Sequence, residues 1–452
     1  MEIFLDQLTK TTNYFSNMIA APLVFILLGT GLFITITLKF IQVRRLKHSL
    51  NVVRGKYDDP ADAGDVTHFQ ALSTALSSTI GIGNIAGVAL AVRLGGPGAL
   101  FWMWVTALLG MATKYAECTL SLNYRKINDD GSVSGGPMYY IEKGLGHKWK
   151  PLAMAFAGCA VVCSFCTGNM NQANTVAQTF NSYGIPIWIS GAIISIAVGV
   201  VIIGGIKRIA SVAEKLVPSM SAIYVISALF VLSMHADRII PSFLLIFKEA
   251  FSLEAGWGGL FAVMMWGVRR GLYSNEAGQG SAPIAHAAAK TEEPVREGIV
   301  ALMEPFIDTI IICSMTGLMI LSTGVLDSTD LTGAQLTRAA FEQGFSFYPL
   351  VGSIIINLSV LLFAYTTMVA WSYYGDRSIE YLLGEKAIRP YRYVYVFFNF
   401  MGAILPLTFV WSFGDIALSL MTIPNLIGVF FLTATLKTMT NDYFSKNHVG
   451  TN

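Results

Sequence analysis

The segment STALSSTIGIGNIAGVALAV, residues 73–92, is apolar enough to lie in a membrane, yet its helical pattern is interrupted. The interrupting residues are Gly81, Gly83, Asn84 and Gly87. In a helix interior glycine costs about 1 kcal/mol relative to alanine, and each backbone group left without a partner in lipid adds several kcal/mol. Such a break persists only where something polar occupies it, so the segment indicates a binding site within a membrane span.

An unwound turn near residues 79–83 offers two kinds of ligand. It frees carbonyl groups at the end of one half-helix and N–H groups at the start of the next. The N–H groups attract a carboxylate, and the carbonyls attract a cation or an ammonium group. A zwitterionic amino acid with a co-transported cation satisfies both. The alternative is close helix packing, because Gly83 and Gly87 form a small-xxx-small pair.

The composition places the whole chain in a membrane. Of its 452 residues, 54% are hydrophobic and only 13% are charged, whereas roughly a quarter of the residues of an ordinary soluble domain are charged. The first apolar segment, 15–38, is long enough to span a bilayer and has no small-residue cleavage site, so we expect it to be retained. The net charge of +2 says little about partners, because the placement of Lys and Arg matters more than their sum in a membrane protein, and we expect no nucleic-acid partner. Cys159, Cys163 and Cys166 share a helix face, and we interpret them as packing residues.

Apolar stretches of about 20 residues predict about eleven transmembrane helices in one all-α membrane domain, residues 1–452. The expected ranges are 15–42, 67–94, 97–124, 153–181, 185–204, 209–235, 256–289, 296–325, 347–375, 392–412 and 414–436. Two shorter patches, beginning at Gly135 and Pro241, are expected at a membrane interface or in re-entrant segments.

Basic residues predict the orientation in the membrane. They cluster in the loops 44–56 and 125–150, and the positive-inside rule puts both loops in the cytoplasm. The amino terminus is therefore expected outside and the carboxyl terminus inside, with the plasma membrane as the location.

A second span is interrupted as well, in WGVRRGLYSNEAGQGSAPIAHAAA, residues 266–289. If 15–42 is set aside as an extra helix, ten spans remain. The two interrupted spans are then the first of each group of five, in 67–235 and 256–436. Matching breaks in halves of opposite polarity predict a five-plus-five inverted repeat with discontinuous helices, the arrangement of many secondary transporters.

Four segments carry a family resemblance. They are STIGIGNIAGVALAVRLGGPGALFWMW, SGGPMYYIEKGLG, RRGLYSNEAGQGSAPIAHAAA and EGIVALMEPFIDTI. They resemble the alanine or glycine:cation symporter family, within the amino acid-polyamine-organocation type superfamily, and the resemblance extends to at least Asp376. It implies sodium-driven uptake of small amino acids such as alanine or glycine.

The run Ile80-Gly81-Ile82-Gly83-Asn84 also resembles the break in leucine-type neurotransmitter sodium symporters. That likeness implies that the N–H groups of Ile82, Gly83 and Asn84 hold the substrate carboxylate. The carbonyl of Thr79, with groups of Tyr273 and Ser274, would take the amine. The other implied substrate contacts are Phe165, Gly168, Asn171, Thr367 and Trp371.

The resemblance further implies a sodium site between the first core helix and the eighth. Its ligands would be backbone carbonyls and adjacent hydroxyl groups of Ser77, Ile80, Phe363, Thr366 and Thr367. Adjacent threonines have a structural alternative, because a helical hydroxyl often bonds back to the carbonyl one turn earlier.

Charged residues within the spans are interpreted as pairs. Lys114 with Glu117, and Glu304 with Asp308, have helical spacing for structural or gating pairs. Arg269, Arg270 and Glu276 flank the second break, where they are expected either to form a gate or to satisfy each other and the exposed backbone. Glu276 also supports the main rival function, a proton-coupled carrier, which needs a titratable group at the coupling site.

Other function classes fit the sequence less well. An intramembrane enzyme would need an activated nucleophile or a metal site, and the chain has neither HExxH nor GxSxG. A passive channel needs no pair of matched breaks. We expect the lipid bilayer and a small amino acid as partners, with sodium as the co-transported ion, no organic cofactor and no obligatory protein partner.

Overall fold

The computed structural model describes residues 2–59, 61–128, 131–253 and 256–446, and these are mostly helical. The helices of the first half are α1 Glu2–Thr37, α2 Ile41–Arg44, α3 Leu46–Val53, α4 His68–Thr79, α5 Val88–Gly95, α6 Ala99–Asn123, α7 Pro137–Leu145, α8 Lys150–Phe165, α9 Asn171–Asn181, α10 Ile187–Ile202, α11 Gly205–Met234 and α12 Ala236–Ala250. The helices of the second half are α13 Gly256–Asn275, α14 Ala282–His286, α15 Pro294–Ala301, α16 Met303–Pro305, α17 Ser314–Thr323, α18 Val325–Ser328, α19 Gly333–Gly344, α20 Pro349–Leu383, α21 Ile388–Ile404 and α22 Leu407–Ser445.

Three wider, π-helical turns join some of these helices. They are Gly83–Gly87 before α5, Cys166–Met170 between α8 and α9, and Phe306–Cys313 before α17. Turns of this kind are rare and occur frequently at functional sites. The turn Gly83–Gly87 contains two of the glycines that interrupt the first span. The turn Cys166–Met170 contains Gly168, which was expected at the substrate site.

Each of the ranges expected to span the membrane contains a helix, but some boundaries differ. α1 ends at Thr37, and Lys39 and Phe40 turn the chain with positive φ. α21 ends at Ile404 and α22 follows Pro406 directly, so the expected boundary near 412–414 is wrong. Proline lacks the N–H that a continuing helix would use and holds the residue before it out of the helical conformation, which explains the earlier break.

Length and composition alone identify five helices that could cross a membrane among the described residues. They are His147–Asn181, Gly205–Met234, Pro294–Thr323, Pro349–Leu383 and Phe409–Ser445. A sixth is added if His68–Thr79 and Gly83–Gly95 form one span bent by 50°. Ala21–Thr37 and Ile187–Ile202 are apolar but shorter. The chain is therefore a membrane protein, while the expected count of eleven exceeds what this criterion identifies.

The packing is centred on α20. This helix contacts α4, α8, α9, α11 and α19, among others. In contrast, α1 lies at the edge and packs against α6, α13 and α22. Its position is consistent with an extra helix outside the main bundle.

Two short segments lie outside the long helices. A two-stranded antiparallel hairpin, β1 Lys126–Ile127 and β2 Val133–Ser134, precedes α7. The patch that begins at Gly135 forms α7, and the patch at Pro241 lies within α12. Exposed apolar residues on α12 include Ile240, Leu244 and Phe247, as expected for a helix at a membrane interface.

Candidate functional site

The first break lies between α4 and the wide turn Gly83–Gly87. α4 begins with a capping box, in which the Thr67 hydroxyl accepts from the Gln70 N–H and the Gln70 side chain accepts from Thr67. It ends at Thr79, because Ile80 takes a non-helical ψ of 86°. A Cβ on Gly81 would lie 2.7 Å from the Thr367 hydroxyl. The helix α20 therefore approaches the break so closely that a side chain at position 81 would have to displace Thr367.

Side chains hold the N–H groups that the break frees. The Asn84 side-chain oxygen, Oδ1, accepts from the N–H of Gly81 at 2.9 Å. The Gln172 side chain, from α9, accepts from the N–H of Ile82 at a long 3.3 Å. Gln172 was not among the site residues expected from the sequence. The second contact is weaker by its length, so it is the easier of the two for a ligand carboxylate to replace.

The second break runs from the end of α13 to the start of α14. Glu276 has a φ of 54°, and Gly278 and Gly280 follow with φ of 85° and 81°. A non-glycine residue in this region is rare and marks local strain of the kind found at functional sites. The Glu276 carboxylate accepts from the Ser281 hydroxyl at 2.5 Å and from the Trp371 indole N–H at 3.0 Å.

Asp308 joins the two breaks. Its carboxylate accepts from the Asn84 side chain at 2.6 Å, from the Ser274 hydroxyl at 2.7 Å and from the Thr309 hydroxyl at 2.7 Å. Asp308 is fully buried. All three donors are neutral, and none of the ion pairs formed by the described residues includes this carboxylate. The expected pairing of Asp308 with Glu304 is wrong, and sequence spacing gave no signal for the contacts it does make.

Aromatic residues close the site on the side of α22. The Tyr273 ring lies against Gly83, where a Cβ would be 3.2 Å away, and it stacks on Trp411 with ring centroids 5.0 Å apart. Asn171 donates to the Tyr273 hydroxyl at 3.0 Å. The other amide atom, Asn171 Oδ1, is buried and has no hydrogen-bond partner among the described residues. It is an acceptor available to an ammonium group.

Gly168 and Trp371 are in close contact. A Cβ on Gly168 would lie 2.1 to 2.4 Å from three side-chain atoms of Trp371. The indole also meets the Tyr374 ring edge to face, with centroids 5.3 Å apart. The structure thus brings Gly168 and Trp371 together and links both to Glu276 in the second break.

Phe165 faces another direction. Its ring packs against Tyr391, Tyr395 and Phe398 of α21, with centroids 4.9 to 6.1 Å away. Among the described residues, the ring of Phe165 stacks on no residue of either break. Its role beside the substrate stays a prediction, as do the roles of the other expected site residues.

The hydroxyl groups of the expected sodium site bond to nearby carbonyls. Ser77 donates to the Thr74 carbonyl at 2.7 Å, while Thr366 and Thr367 donate to the Phe363 carbonyl at 3.1 and 2.9 Å. This is the structural alternative considered from the sequence. Thr367 is nevertheless the residue nearest to the Gly81 break on α20.

A chain of buried charges crosses the bundle near the second break. Lys114 pairs with Glu304 at 3.0 Å, Glu304 bonds to His286 at 2.6 Å, and His286 bonds to Glu297 at 2.5 Å. Glu297 also contacts His68 at the start of α4. The expected pair of Lys114 with Glu117 is therefore wrong, because Lys114 reaches another helix and Glu117 bonds to Asn425. The chain ties α4, α6, α14, α15 and α16 together.

Arg269 and Arg270 pair with Asp415 of α22 and not with Glu276, so the alternative in which these three residues satisfy each other is wrong. Arg269 bonds to Asp415 of α22 at 2.5 Å and Arg270 at 3.4 Å. The Arg270 guanidinium also lies 5.6 Å from the Tyr273 ring and 5.3 Å from the Trp411 ring. This group covers the aromatic pair, and Glu276 takes no part in it.

Comparison with known proteins gives one consistent result. The model of the family described as sodium:alanine symporter family matches residues 5–452. The chain is 46% identical to "Sodium/alanine symporter AgcS" of Methanococcus maripaludis, covering 92% of this chain and 93% of that protein. It is 37% identical to "Putative sodium/proton-dependent alanine carrier protein YrbD" of Bacillus subtilis, covering 94% and 90%. The solved structure of MhsT in complex with L-phenylalanine has the same fold, with a TM-score of 0.59 at 14% identity over 82% of this chain and 89% of that one.

Proposed function

The chain belongs to the sodium:alanine symporter family, and from that premise we propose that it couples sodium entry to the uptake of alanine or glycine. As a member it is an amino-acid transporter of the membrane and not an enzyme. The name of the relative AgcS supports alanine as substrate. A small side chain is also favoured by Trp371, because its indole fills the space beside Gly168.

The proposed architecture is one extra helix followed by two inverted five-helix repeats, 67–235 and 256–436. Two observations support it. The chain has breaks at Ile80 to Gly83 and at Glu276 to Gly280, in the first helix of each proposed repeat. The shared fold with MhsT is consistent with a transporter bundle. We place the protein in the plasma membrane with its amino terminus outside and its carboxyl terminus in the cytoplasm.

The substrate would bind between the two breaks. Its carboxylate would take the N–H groups of Ile82, Gly83 and Asn84, with Gln172 giving up its long contact to Ile82. Its ammonium group would meet the Thr79 carbonyl and the free Asn171 acceptor. The small side chain would be enclosed by Tyr273, Ser274, Thr367, Trp371 and Gly168. Phe165, the last residue of α8, would act at this site by packing α8 against α21.

One observation carries the proposal of cation coupling, namely the buried carboxylate of Asp308. An isolated charge in a protein interior is so costly that it is paired, bound to a cation or neutralised. Asp308 has neutral oxygen and amide groups around it and no ion-pair partner among the described residues. Carboxylate and hydroxyl oxygens suit a hard cation. We therefore place a sodium ion beside Asp308 when the site is loaded, in addition to the one expected at Ser77, Ile80, Phe363, Thr366 and Thr367.

The test is uptake of labelled alanine and glycine into vesicles reconstituted with pure protein. Sodium, potassium or a pH step is supplied in turn as the driving gradient. Concentrative uptake with inward sodium alone is the expected result. Uptake that does not depend on the sodium, potassium or pH gradient would contradict the proposal and indicate a passive channel.

The variant Asp308→Asn tests whether the buried carboxylate of Asp308 takes part in sodium coupling. It keeps the shape but removes the charge, so the sodium concentration for half-maximal uptake should rise by at least about tenfold. The matched control is Asp376→Asn, another buried carboxylate, which is ion-paired with Arg392 at 2.5 Å and lies away from the breaks. Unchanged sodium dependence in Asp308→Asn would remove Asp308 from the coupling mechanism.

A proton-coupled carrier is the second candidate, and a specific observation favours it. Asp308 and Glu276 are both buried, and neither forms an ion pair among the described residues. Protonation would neutralise them as well as sodium would. The name of the relative YrbD includes both ions. Under this alternative, uptake follows a pH step without sodium, and Glu276→Gln or Asp308→Asn abolishes the pH response. Under our proposal, both variants retain some concentrative uptake only when sodium is present.

A further inference from the structure

A cationic cavity lies where α1, α2 and α22 meet. Its volume is about 390 Å³, and its lining includes Lys39, Arg44, Arg45 and Lys437. No aspartate or glutamate belongs to that lining, although Asp442 is close in sequence. Four positive charges around one cavity repel each other unless an anion lies among them.

The backbone is strained to form this cavity. Lys39 and Phe40 have φ of 54° and 57°, a left-handed conformation that costs non-glycine residues roughly 1–2 kcal/mol each. The turn brings Arg44 back over the end of α1, where its Nη1 donates to the Lys39 carbonyl at 3.4 Å. Arg45 is held by the Phe444 ring, with its guanidinium 3.8 Å from the ring centroid. Strain of this kind is retained where the surrounding structure enforces it.

An exposed apolar surface continues from the cavity along the same two helices. Phe33 on α1 and Phe430 on α22 contact each other with ring centroids 5.2 Å apart, and 41% and 52% of their surfaces are exposed. Helical spacing puts Phe33 on the face of Thr37, and Phe430 on the face of Lys437. The site is thus cationic at one end and apolar along its length.

We propose that this cavity binds the phosphate of an anionic phospholipid whose acyl chains lie along the groove between α1 and α22. A free phosphate ion would use the cations alone, whereas a phospholipid matches both parts of the surface. Basic pockets between membrane helices on the cytoplasmic side bind acidic headgroups in this way. With the proposed orientation, the lipid belongs to the inner leaflet.

The test compares two triple variants with equal loss of charge. The first is Lys39→Gln, Arg44→Gln and Lys437→Gln, all exposed residues of the cavity. The control is Lys47→Gln, Arg54→Gln and Lys56→Gln, exposed residues near the same membrane face but outside the cavity. Phosphatidylglycerol is titrated into detergent-purified protein, and retained lipid is counted by native mass spectrometry. The cavity variant should retain one phosphatidylglycerol fewer than the wild type and the control.

Thermal stability gives a second measurement and separates the lipid from a simple anion. Phosphatidylglycerol should raise the Tm of the wild type and the control, and should not raise that of the cavity variant. Phosphatidylcholine and inorganic phosphate should raise the Tm of the wild type and the control less than phosphatidylglycerol does. The single variants Lys39→Gln and Lys437→Gln should each weaken phosphatidylglycerol binding. Equal lipid retention by both triple variants, or a full Tm rise with inorganic phosphate alone, would overturn the proposal.

Discussion

Gly81 and Gly87 lie on the same interrupted helix, but a methyl group would have different effects at the two positions. At Gly81 it would lie 2.7 Å from the Thr367 hydroxyl, whereas at Gly87 no atom lies within 4 Å. The close-packing alternative for the pair Gly83 and Gly87 therefore finds no support at Gly87. Gly83 is close to Tyr273, in the second break.

This contrast predicts the behaviour of two alanine variants. Gly81→Ala must displace Thr367 or the break, and overpacking of this kind costs about 1–3 kcal/mol. Sodium-dependent alanine uptake should fall by about tenfold or more, with a weaker apparent sodium affinity. Gly87→Ala is the control and should stay within about twofold of the wild type. Equal activity of the two variants in the sodium titration would show that the close approach of α20 to the break does not affect sodium-dependent uptake.

Gly168 gives a second prediction at the scale of single residues. A Cβ at this position would overlap the indole of Trp371, while Gly158, on the adjoining α8, has no atom within 4 Å. Gly168→Ala should therefore move Trp371 from its contact with Glu276 and reduce alanine uptake strongly. Adding Trp371→Phe should not recover uptake, because phenylalanine keeps the Cβ, Cγ and Cδ atoms that the methyl group would meet. Gly158→Ala should transport normally, and a defect there as large as in Gly168→Ala would exclude the indole contact as the cause.

At the scale of elements, the breaks were predictable and the contacts between helices were not. Glycines and amides in an apolar run are a local signal, so both interruptions could be located from the sequence. The partners of Asp308 are Asn84 and Ser274, which lie 224 and 34 residues away along the chain. Spacing on one helix reports only the neighbours on that helix. In addition, the wide turn Phe306–Cys313 begins between Glu304 and Asp308 and changes the helical periodicity that their expected pairing assumed.

The charge chain makes a prediction about how these elements are held together. Lys114→Met leaves Glu304 without its ammonium partner, and breaking a buried pair typically costs about 3–5 kcal/mol. The Tm of the detergent-purified variant should fall well below that of Lys215→Met, an exposed control on α11. Adding Glu304→Gln to Lys114→Met should recover part of the loss, because it removes the unpaired charge. A double variant less stable than Lys114→Met alone would indicate that the contact to His286 dominates.

At the scale of the molecule, two cavities lie at opposite ends of α20. The outer cavity, named for the proposed orientation, has a volume of about 340 Å³ and is lined by Gln178, Ile356 and Trp411, among others. The inner cavity, about 1070 Å³, is lined by Asp65 and Arg377, among others. Ile356 and Arg377 are roughly 30 Å apart at 1.5 Å per helical residue. The two breaks lie between the cavities, so a substrate must pass them to cross the protein.

Each cavity is separated from the breaks by specific contacts. On the outer side, Trp411 lines the cavity and stacks on Tyr273, which covers Gly83. On the inner side, Arg377 bonds to Glu380 at 2.7 Å and to Ser134 at 3.1 Å, and Asp65 accepts from the Val133 N–H at 3.0 Å. In the proposed mechanism these closures open alternately, and sodium and the amino acid bind cooperatively because each orders the break for the other.

Alternation of the closures predicts how two introduced cysteines react with a membrane-impermeant thiol reagent. Gln178→Cys lies in the outer cavity and Glu385→Cys in the inner cavity, both at exposed positions. The half-buried Cys159 is replaced by serine in both, and the other four cysteines are buried. In intact cells the reagent should modify Gln178→Cys, and it should modify Glu385→Cys only after the membrane is permeabilised. Sodium with alanine should change the two rates in opposite directions, while alanine without sodium should change neither, because the substrate site is completed only when the cation has ordered the first break. Rates that rise together would contradict alternating access, and modification of Glu385→Cys alone in intact cells would reverse the proposed orientation.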